Sequence, residues 1–174
     1  MSVKALGSAE MLSGLSIRLS VAEDMEHWKN WVADPKVSRW FPFASEEIEI
    51  DRTARHVFSF LPQNGLITAE WDGQPCGIAG FELSVYRKTM HQATLWIVVE
   101  ESHRNQGIGS LLLKALFAAG KAWHGLSFVL LEVYEGNPAR ALYKRMGFVD
   151  YGFQPFFSKE DGHYLGRHLM CRPV

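Results

Sequence analysis

Leu95-Trp96-Ile97-Val98-Val99-Glu100-Glu101-Ser102-His103-Arg104-Asn105-Gln106-Gly107-Ile108-Gly109-Ser110-Leu111-Leu112-Leu113 is the stretch from which the fold can be read. An apolar run of strand length leads into a polar turn with two glycines one residue apart, and the turn opens directly into a helical pattern. That order suits the capture of a phosphate. A helix start leaves four backbone N–H groups without intrahelical partners and carries roughly half a positive charge of dipole. Gly107 and Gly109 are read as letting the backbone take positive φ and approach a bulky anion. Arg104 adds a guanidinium fork that can hold a phosphate bidentately. A strand-to-helix turn can demand two glycines for geometry alone, but the longer pattern Arg-x-x-Gly-x-Gly asks for more. No Gly-Lys-Ser/Thr closes the loop as in a nucleotide hydrolase, and the third glycine of a dinucleotide fingerprint is missing.

Arg104 to Gly109 resembles the pyrophosphate-binding loop of the GNAT acyltransferase superfamily, whose members bind acetyl-coenzyme A. A second segment, Asn137-Pro138-Ala139-Arg140-Ala141-Leu142-Tyr143-Lys144-Arg145-Met146-Gly147-Phe148, is similar to that family's Asn-x-x-Ala-x-x-Leu-Tyr-x-x-x-Gly-Phe, with Ala141 one place later than the usual alanine. The two segments stand in the family's order and at its separation. The resemblance extends weakly from about Ser16 to the end of the chain.

The 174 residues suit a single domain over 1–174, which the resemblance makes an N-acetyltransferase domain, with residues 1–14 read as a loosely ordered N-terminal extension. Hydrophobic residues at 47% and charged residues at 21% are ordinary for a globular protein. A formal net charge of −1 argues against a broad nucleic-acid or anionic-membrane surface. Cys76 and Cys171 have no metal or redox spacing around them and read as two buried thiols of a reducing compartment. Neither a signal core nor a membrane-spanning apolar run is present, so a cytoplasmic protein is expected.

Residues 15–20 alternate as a half-buried strand, and Ser20 or Asp24 can cap a helix over about 23–33 with Met25, Trp28, Trp31 and Val32 on its apolar side. Asp34-Pro35 ends that helix. The aromatic run Val37 to Phe43 has no evident secondary structure; it suits either core packing or the wall of an acceptor pocket. Ser45 with Glu46-Glu47 reads as a helix start, the helix running to about Leu61. Strands follow over 66–71 and 76–86, joined by the hairpin signal Asp72-Gly73, and over 91–99. A helix over about 107–123 precedes Phe128 to Tyr134, a nearly continuous apolar strand expected to be buried on both faces. Pro138 opens a short helix that Gly147 closes, and strands over 148–153 and 163–171 finish the chain around a turn at 159–162. The order implies an α/β fold, with one mixed, mostly antiparallel sheet of about six to seven strands flanked by helices. The resemblance implies the same acyl-CoA N-acyltransferase fold, with the central strands splayed apart.

What the resemblance implies about the site is specific. Pantetheine lies in the wedge between the splayed strands, bonding to the backbone of Ile97, Val98 and Val99. The pyrophosphate sits on the amides of Gln106, Gly107, Ile108, Gly109 and Ser110, beside Arg104 and Asn105. Asn137 contacts pantetheine or the amine, or caps a helix. Tyr143 donates a proton or hydrogen bond to the departing thiolate. An alkyl amine, with a reference pKa of about 10.4, must lose a proton before it can attack. His91 and Glu100 are candidate bases, with Glu82 and Glu132 as alternatives. Trp96 either narrows the acceptor cavity or fills core. Arg140, Lys144 and Arg145 either help neutralise phosphates or form a solvated face.

The implied activity is transfer of an acetyl group from acetyl-coenzyme A directly to a primary amine, of a small molecule in the first reading, with no metal. A protein N-terminal or lysine acceptor, and an acyl-coenzyme A sensor without turnover, are the alternatives. A homodimer is compatible with the family.

Overall fold

The computed structural model describes residues 13–43 and 46–174. The expected extension, up to residue 12, and Ser45 as a helix start lie outside the described residues.

Among the described residues seven strands form one sheet in the order β1-β2-β3-β4-β5-β7-β6. They are β1 Leu15–Leu19, β2 Leu66–Trp71, β3 Gln74–Leu83, β4 Gln92–Val99, β5 Phe128–Tyr134, β6 Val149–Glu160 and β7 His163–Pro173. Only β4 and β5 pair in parallel, because α4, Ile108–His124, crosses between them. Every other neighbouring pair is antiparallel. Two hairpins follow from their turn residues. Asp72 and Gly73 take φ of 49° and 79°, and Asp161 and Gly162 take 48° and 81°, the paired positive φ of a tight two-residue turn. The second turn is therefore shorter than the expected 159–162.

Four further helices lie among the described residues: α1 Asp24–Val32, α2 Pro35–Ser38, α3 Glu47–Phe58 and α5 Ala139–Arg145. Sequence reading did not anticipate α2. Pro35 does end α1, but Asp34 Oδ1 accepts from Lys36 N at 2.9 Å and so starts a new turn at once. Neither Ser20 nor Asp24 caps α1 as expected. The Ser20 hydroxyl bonds Thr68 instead, and the Asp24 carboxylate turns inward to Arg18, Val21 N and Thr68. α3 stops at Phe58, three residues early, where a 3-10 turn over Leu61–Gln63 accommodates Pro62. β3 ends at Leu83 rather than at residue 86. β6 runs beyond residue 153, because an irregularity between Gln154 and Ser158, with Phe156 at φ 56°, carries the strand past Pro155.

The sheet separates two apolar clusters. Leu95, Phe81, Leu131 and Val133 face α4 with its Leu112, Leu113 and Leu116. Trp96, Val98 and Ile78 face Trp28 and Val32 of α1 and Ile50, Ala54 and Val57 of α3. Strand alternation explains the partition: odd residues of β4 point to one side and even ones to the other. β5 is not buried on both faces. Val129, Leu131 and Val133 are buried, while Phe128 and Glu132 are exposed. The reason lies in its parting from β4, described below.

Cys76 is buried and Cys171 half-buried, and both are free thiols. Burial pushes the Cys76 thiol up to about 11, so it packs as a small apolar group. No helix among the described residues is long and apolar enough to cross a membrane.

Gly80 lies on β3 directly beneath Trp96, where an added Cβ would meet Cζ2 at 2.7 Å and Leu66 Cγ at 3.1 Å. Gly80→Ala is expected to cost about 1–3 kcal/mol of stability in urea denaturation, the usual price of overpacking. Wild-type stability would show that Trp96 can move aside.

Candidate active site

Glu101–His103 forms a single 3-10 turn after β4, and the chain then reverses into α4 through Arg104 to Gly107. Asn105 and Gly107 both have positive φ, 61° and 84°. Gly109 has an ordinary helical backbone; its missing Cβ makes room for Leu142, whose Cδ2 would lie 3.2 Å from one. The two glycines thus do different jobs, and Asn105 takes the second left-handed position. Gly107 supplies no side-chain cap to α4, so the first-turn N–H groups remain free of side-chain partners. The Arg104 Nε donates to Val99 O at 3.0 Å, fastening the loop to the end of β4. Gln106 folds back to Ser102 O and is exposed.

β4 and β5 pair only at Gln92↔Phe128, Ala93↔Val129 and Thr94↔Leu130, and beyond Thr94 they separate. The Glu100 amide bonds Cys76 O on β3, so by alternation Val98 turns its backbone to β3 while Ile97 and Val99 turn theirs toward the gap. Of the three residues expected along the wedge, Ile97 and Val99 therefore turn their backbone edges to it, the Val99 carbonyl being taken by Arg104 Nε. Val98 presents its side chain to the other cluster.

A cavity of about 790 Å³ runs through this gap. At one end lie Arg104, Asn105, Gly107, Ile108, Gly109 and Ser110; Ile97, Val98 and Val99 border the middle, with Asn137 and Tyr143 opposite. At the other end is an aromatic chamber of Trp28, Trp40, Phe41, Phe43 and Trp96. Phe41 stacks on Phe43 with centroids 5.2 Å apart, and Trp28 meets Trp96 edge-on at 6.2 Å. The aromatic run of residues 37–43 is thus both packed core and cavity wall, and so is Trp96.

Tyr143 is buried, its ring edge-on to Phe148 at 6.0 Å. Burial pushes its phenol up to about 12. It stays a neutral O–H donor at physiological pH. A thiol ordinarily titrates about 3.5 units lower, so the phenol is better suited to donate a hydrogen bond to a thiolate than to surrender its proton. Asn137 Oδ1 accepts from Ala139 N at 2.9 Å and caps α5, while the residue also borders the cavity.

The structure does not bring the two candidate bases to the cavity. His91 is exposed at the far start of β4, where its carbonyl accepts from Ser127 N and Phe128 N. Glu100 is held by His103 Nδ1 at 2.7 Å, outside the cavity lining. Gln106 is likewise absent from the lining. Of the alternatives, Glu132 borders the cavity but is paired with Arg167. Glu82 borders it too, with His56 Nε2 2.5 Å from its Oε1. Sequence reading passed over His56, which sits in the last turn of α3, 26 residues away from Glu82. Arg140 and Lys144 are engaged by Asp150, at 3.0 and 3.8 Å, whereas Arg145 borders the cavity. Among the described residues no cluster of three or more His, Cys, Asp or Glu could hold a metal ion.

The loop that opens into α4 thus leads through the parted sheet to an aromatic chamber. The family model described as "Acetyltransferase (GNAT) family" matches residues 25–148. An L-amino acid N-acetyltransferase of Escherichia coli (strain K12), AaaT, is 24% identical over 165 residues, covering 92% of this chain and 99% of that one. Two solved structures share the fold. One is YncA, a putative acetyltransferase from Salmonella typhimurium, with its cofactor acetyl-CoA; it has a TM-score of 0.78, 16% identity, and coverage of 92% of this chain and 94% of its own. The other is a spermidine N-acetyltransferase from Vibrio cholerae in complex with CoA and spermine, with a TM-score of 0.76, 18% identity, and coverage of 93% and 96%. The chain belongs to the GNAT family of acetyltransferases. It is an N-acetyltransferase.

Proposed function

We propose that the protein transfers an acetyl group from acetyl-coenzyme A directly to the primary amine of a small molecule. The observation that carries this reading is the single cavity joining the helix-start loop to the aromatic chamber across the point where β4 and β5 part. The first-turn amides of α4, with Gly107 open to the cavity, suit a pyrophosphate. Backbone edges at Ile97 and at the Val99 amide N–H suit the amide groups of pantetheine, which would add to β4 as a short strand does. The thioester supplies an activated acyl carbon, and binding of the remote nucleotide places it beside the acceptor. The Tyr143 hydroxyl then meets the leaving sulfur with a hydrogen bond as negative charge grows there.

A small acceptor is favoured by the aromatic lining of the chamber, which suits a compact apolar-bodied amine. It agrees with the E. coli relative, named for amino acids, and with the Vibrio structure, which holds spermine. Calorimetric titration with acetyl-coenzyme A, followed by coenzyme A release against a panel of amino acids, aralkylamines and polyamines, tests the reading. Saturable one-to-one binding with release is expected. Binding without release for every amine would make the protein a sensor.

Tyr143→Phe is expected to lower kcat about 10- to 100-fold while changing acetyl-coenzyme A affinity less than about threefold, as loss of one transition-state donor does. Unaltered turnover would remove Tyr143 from the chemistry and leave it as packing against Phe148.

A further inference from the structure

We infer that Glu82 is the base that takes the proton from the acceptor amine, with His56 positioning it. The inference rests on the acetyl-transfer reading above and deepens it.

Three observations converge on the pair. The first is register. Glu82 on β3 lies opposite Thr94, the last β4 residue still paired with β5. It therefore stands at the point where the sheet opens. The second is the face. Glu82, Gly80 and Ile78 share one side of β3, the side of Trp96, Val98 and the aromatic chamber, and α3 brings His56 down on that same side. The carboxylate thus borders the chamber rather than the α4 side of the sheet. The third is access. A smaller cavity of about 420 Å³ shares His56, Glu82 and Thr94 with the large one and is otherwise lined by groups such as Phe60, Ser84 and Gln92. The pair forms the partition between the two, and its side chains are 58% and 45% exposed.

That placement answers the need that the other candidates leave unmet. Glu132 is occupied by Arg167, and Glu100 and His91 do not line the cavity. With His56 Nε2 on Oε1, the second carboxylate oxygen is left to receive an ammonium N–H. Of the two N–H protons that the ammonium gives up, one passes through Glu82 to water at the smaller opening and frees the nitrogen lone pair. That nitrogen attacks the acyl carbon, and the C–N bond forms as the C–S bond breaks. The second proton ends on the coenzyme A sulfur, so the products are the amide, the thiol and one released proton. No oxidant, metal or covalent enzyme intermediate is needed.

Thr94 and Trp96 of β4, Thr53, Val57 and Phe60 of α3 and its following turn, and Ser84, Thr89 and Gln92 across the smaller cavity carry no charge. The remaining ionisable groups of the large cavity are Glu132, Tyr134, Tyr143, His103, Arg104 and Arg145.

The test uses the full chain and whichever amine the panel shows to be acetylated. Glu82→Gln is expected to lower kcat at least about 100-fold, within the range for loss of a general base, with acetyl-coenzyme A affinity unchanged by calorimetry. Glu82→Asp should restore part of the rate. His56→Gln should cost about tenfold and shift the acid limb of the pH profile of kcat/KM, which a merely structural contact would leave in place. A Glu82→Gln rate within about threefold of wild type would overturn the assignment while the acetyl-transfer reading stands. So would parallel loss of coenzyme affinity, which would mark Glu82 as structural. A wild-type protein that acetylates no amine on the panel would overturn both.

Discussion

Gly107→Trp is expected to weaken acetyl-coenzyme A binding at least about 100-fold in a calorimetric titration, a loss of about 2.7 kcal/mol. Gly107 is where the loop turns into α4, at φ 84°, and a Cβ built there meets nothing within 4 Å. It borders the cavity at the end where the α4 amides begin. An indole in that open space takes the volume a pyrophosphate needs. The left-handed backbone adds about 1–2 kcal/mol of strain for any L side chain, so Gly107→Ala separates the two effects. Alanine carries the strain without the bulk and should keep affinity within about tenfold. Equal and unchanged affinity in both variants would place the coenzyme elsewhere. Gly109 gives the contrasting case. A side chain there meets Leu142 before it meets any ligand, so substitution should act on the packing of α4 against α5.

The difference between these two glycines shows how far the sequence could be read. The strand-turn-helix of residues 95–113 is local: its pattern, turn residues and helix start lie within one stretch, and its outline was legible. So were the hairpins, because Asp-Gly encodes a two-residue turn with little help from elsewhere. Which glycine carries the positive φ was not legible, since Gly109 owes its place to Leu142, a contact made 33 residues away in the chain. The short α2 was hidden because Asp34-Pro35 is equally an end and a beginning. The acceptor side was the least legible part. His91 and Glu100 sit at the two ends of β4, and nothing in a one-dimensional pattern says that the gap opens between them, after Thr94. Glu82 and His56 become neighbours only when β3 pairs with β4 and α3 covers that face.

Asp24→Ala is expected to lower unfolding stability by about 2–4 kcal/mol at neutral pH, the largest effect on stability anticipated in this chain. Asp24 is 1% exposed at the start of α1. Its carboxylate accepts from Arg18 Nη1 at 2.7 Å and Nη2 at 2.8 Å, from Val21 N at 2.9 Å and from Thr68 Oγ1 at 2.8 Å. Arg18 also donates through Nε to Glu70 at 2.7 Å, so one guanidinium ties β1 to β2 and to α1. Alanine takes away the shared acceptor of the Arg18 fork, the Val21 amide and the buried Thr68 hydroxyl; Arg18 keeps Glu70 and some water, so the cost falls mainly on the hydrogen bonds lost around Thr68 and Val21. Burial alone pushes the Asp24 carboxyl up, but the Arg18, Val21 and Thr68 hydrogen bonds outweigh it and hold the group below the usual carboxylate range. A depressed folded-state pKa gives stability that is fully present above the unfolded value, about 3.9, and is lost as pH falls from there through the folded value. The gap between wild type and Asp24→Ala should therefore narrow when urea midpoints are compared at pH 7 and at pH 3. An equal gap at both would assign the loss to packing rather than to charge. The consequence reaches the active site, because α1 carries Trp28 into the aromatic chamber, so turnover of Asp24→Ala should fall at temperatures below its own melting transition.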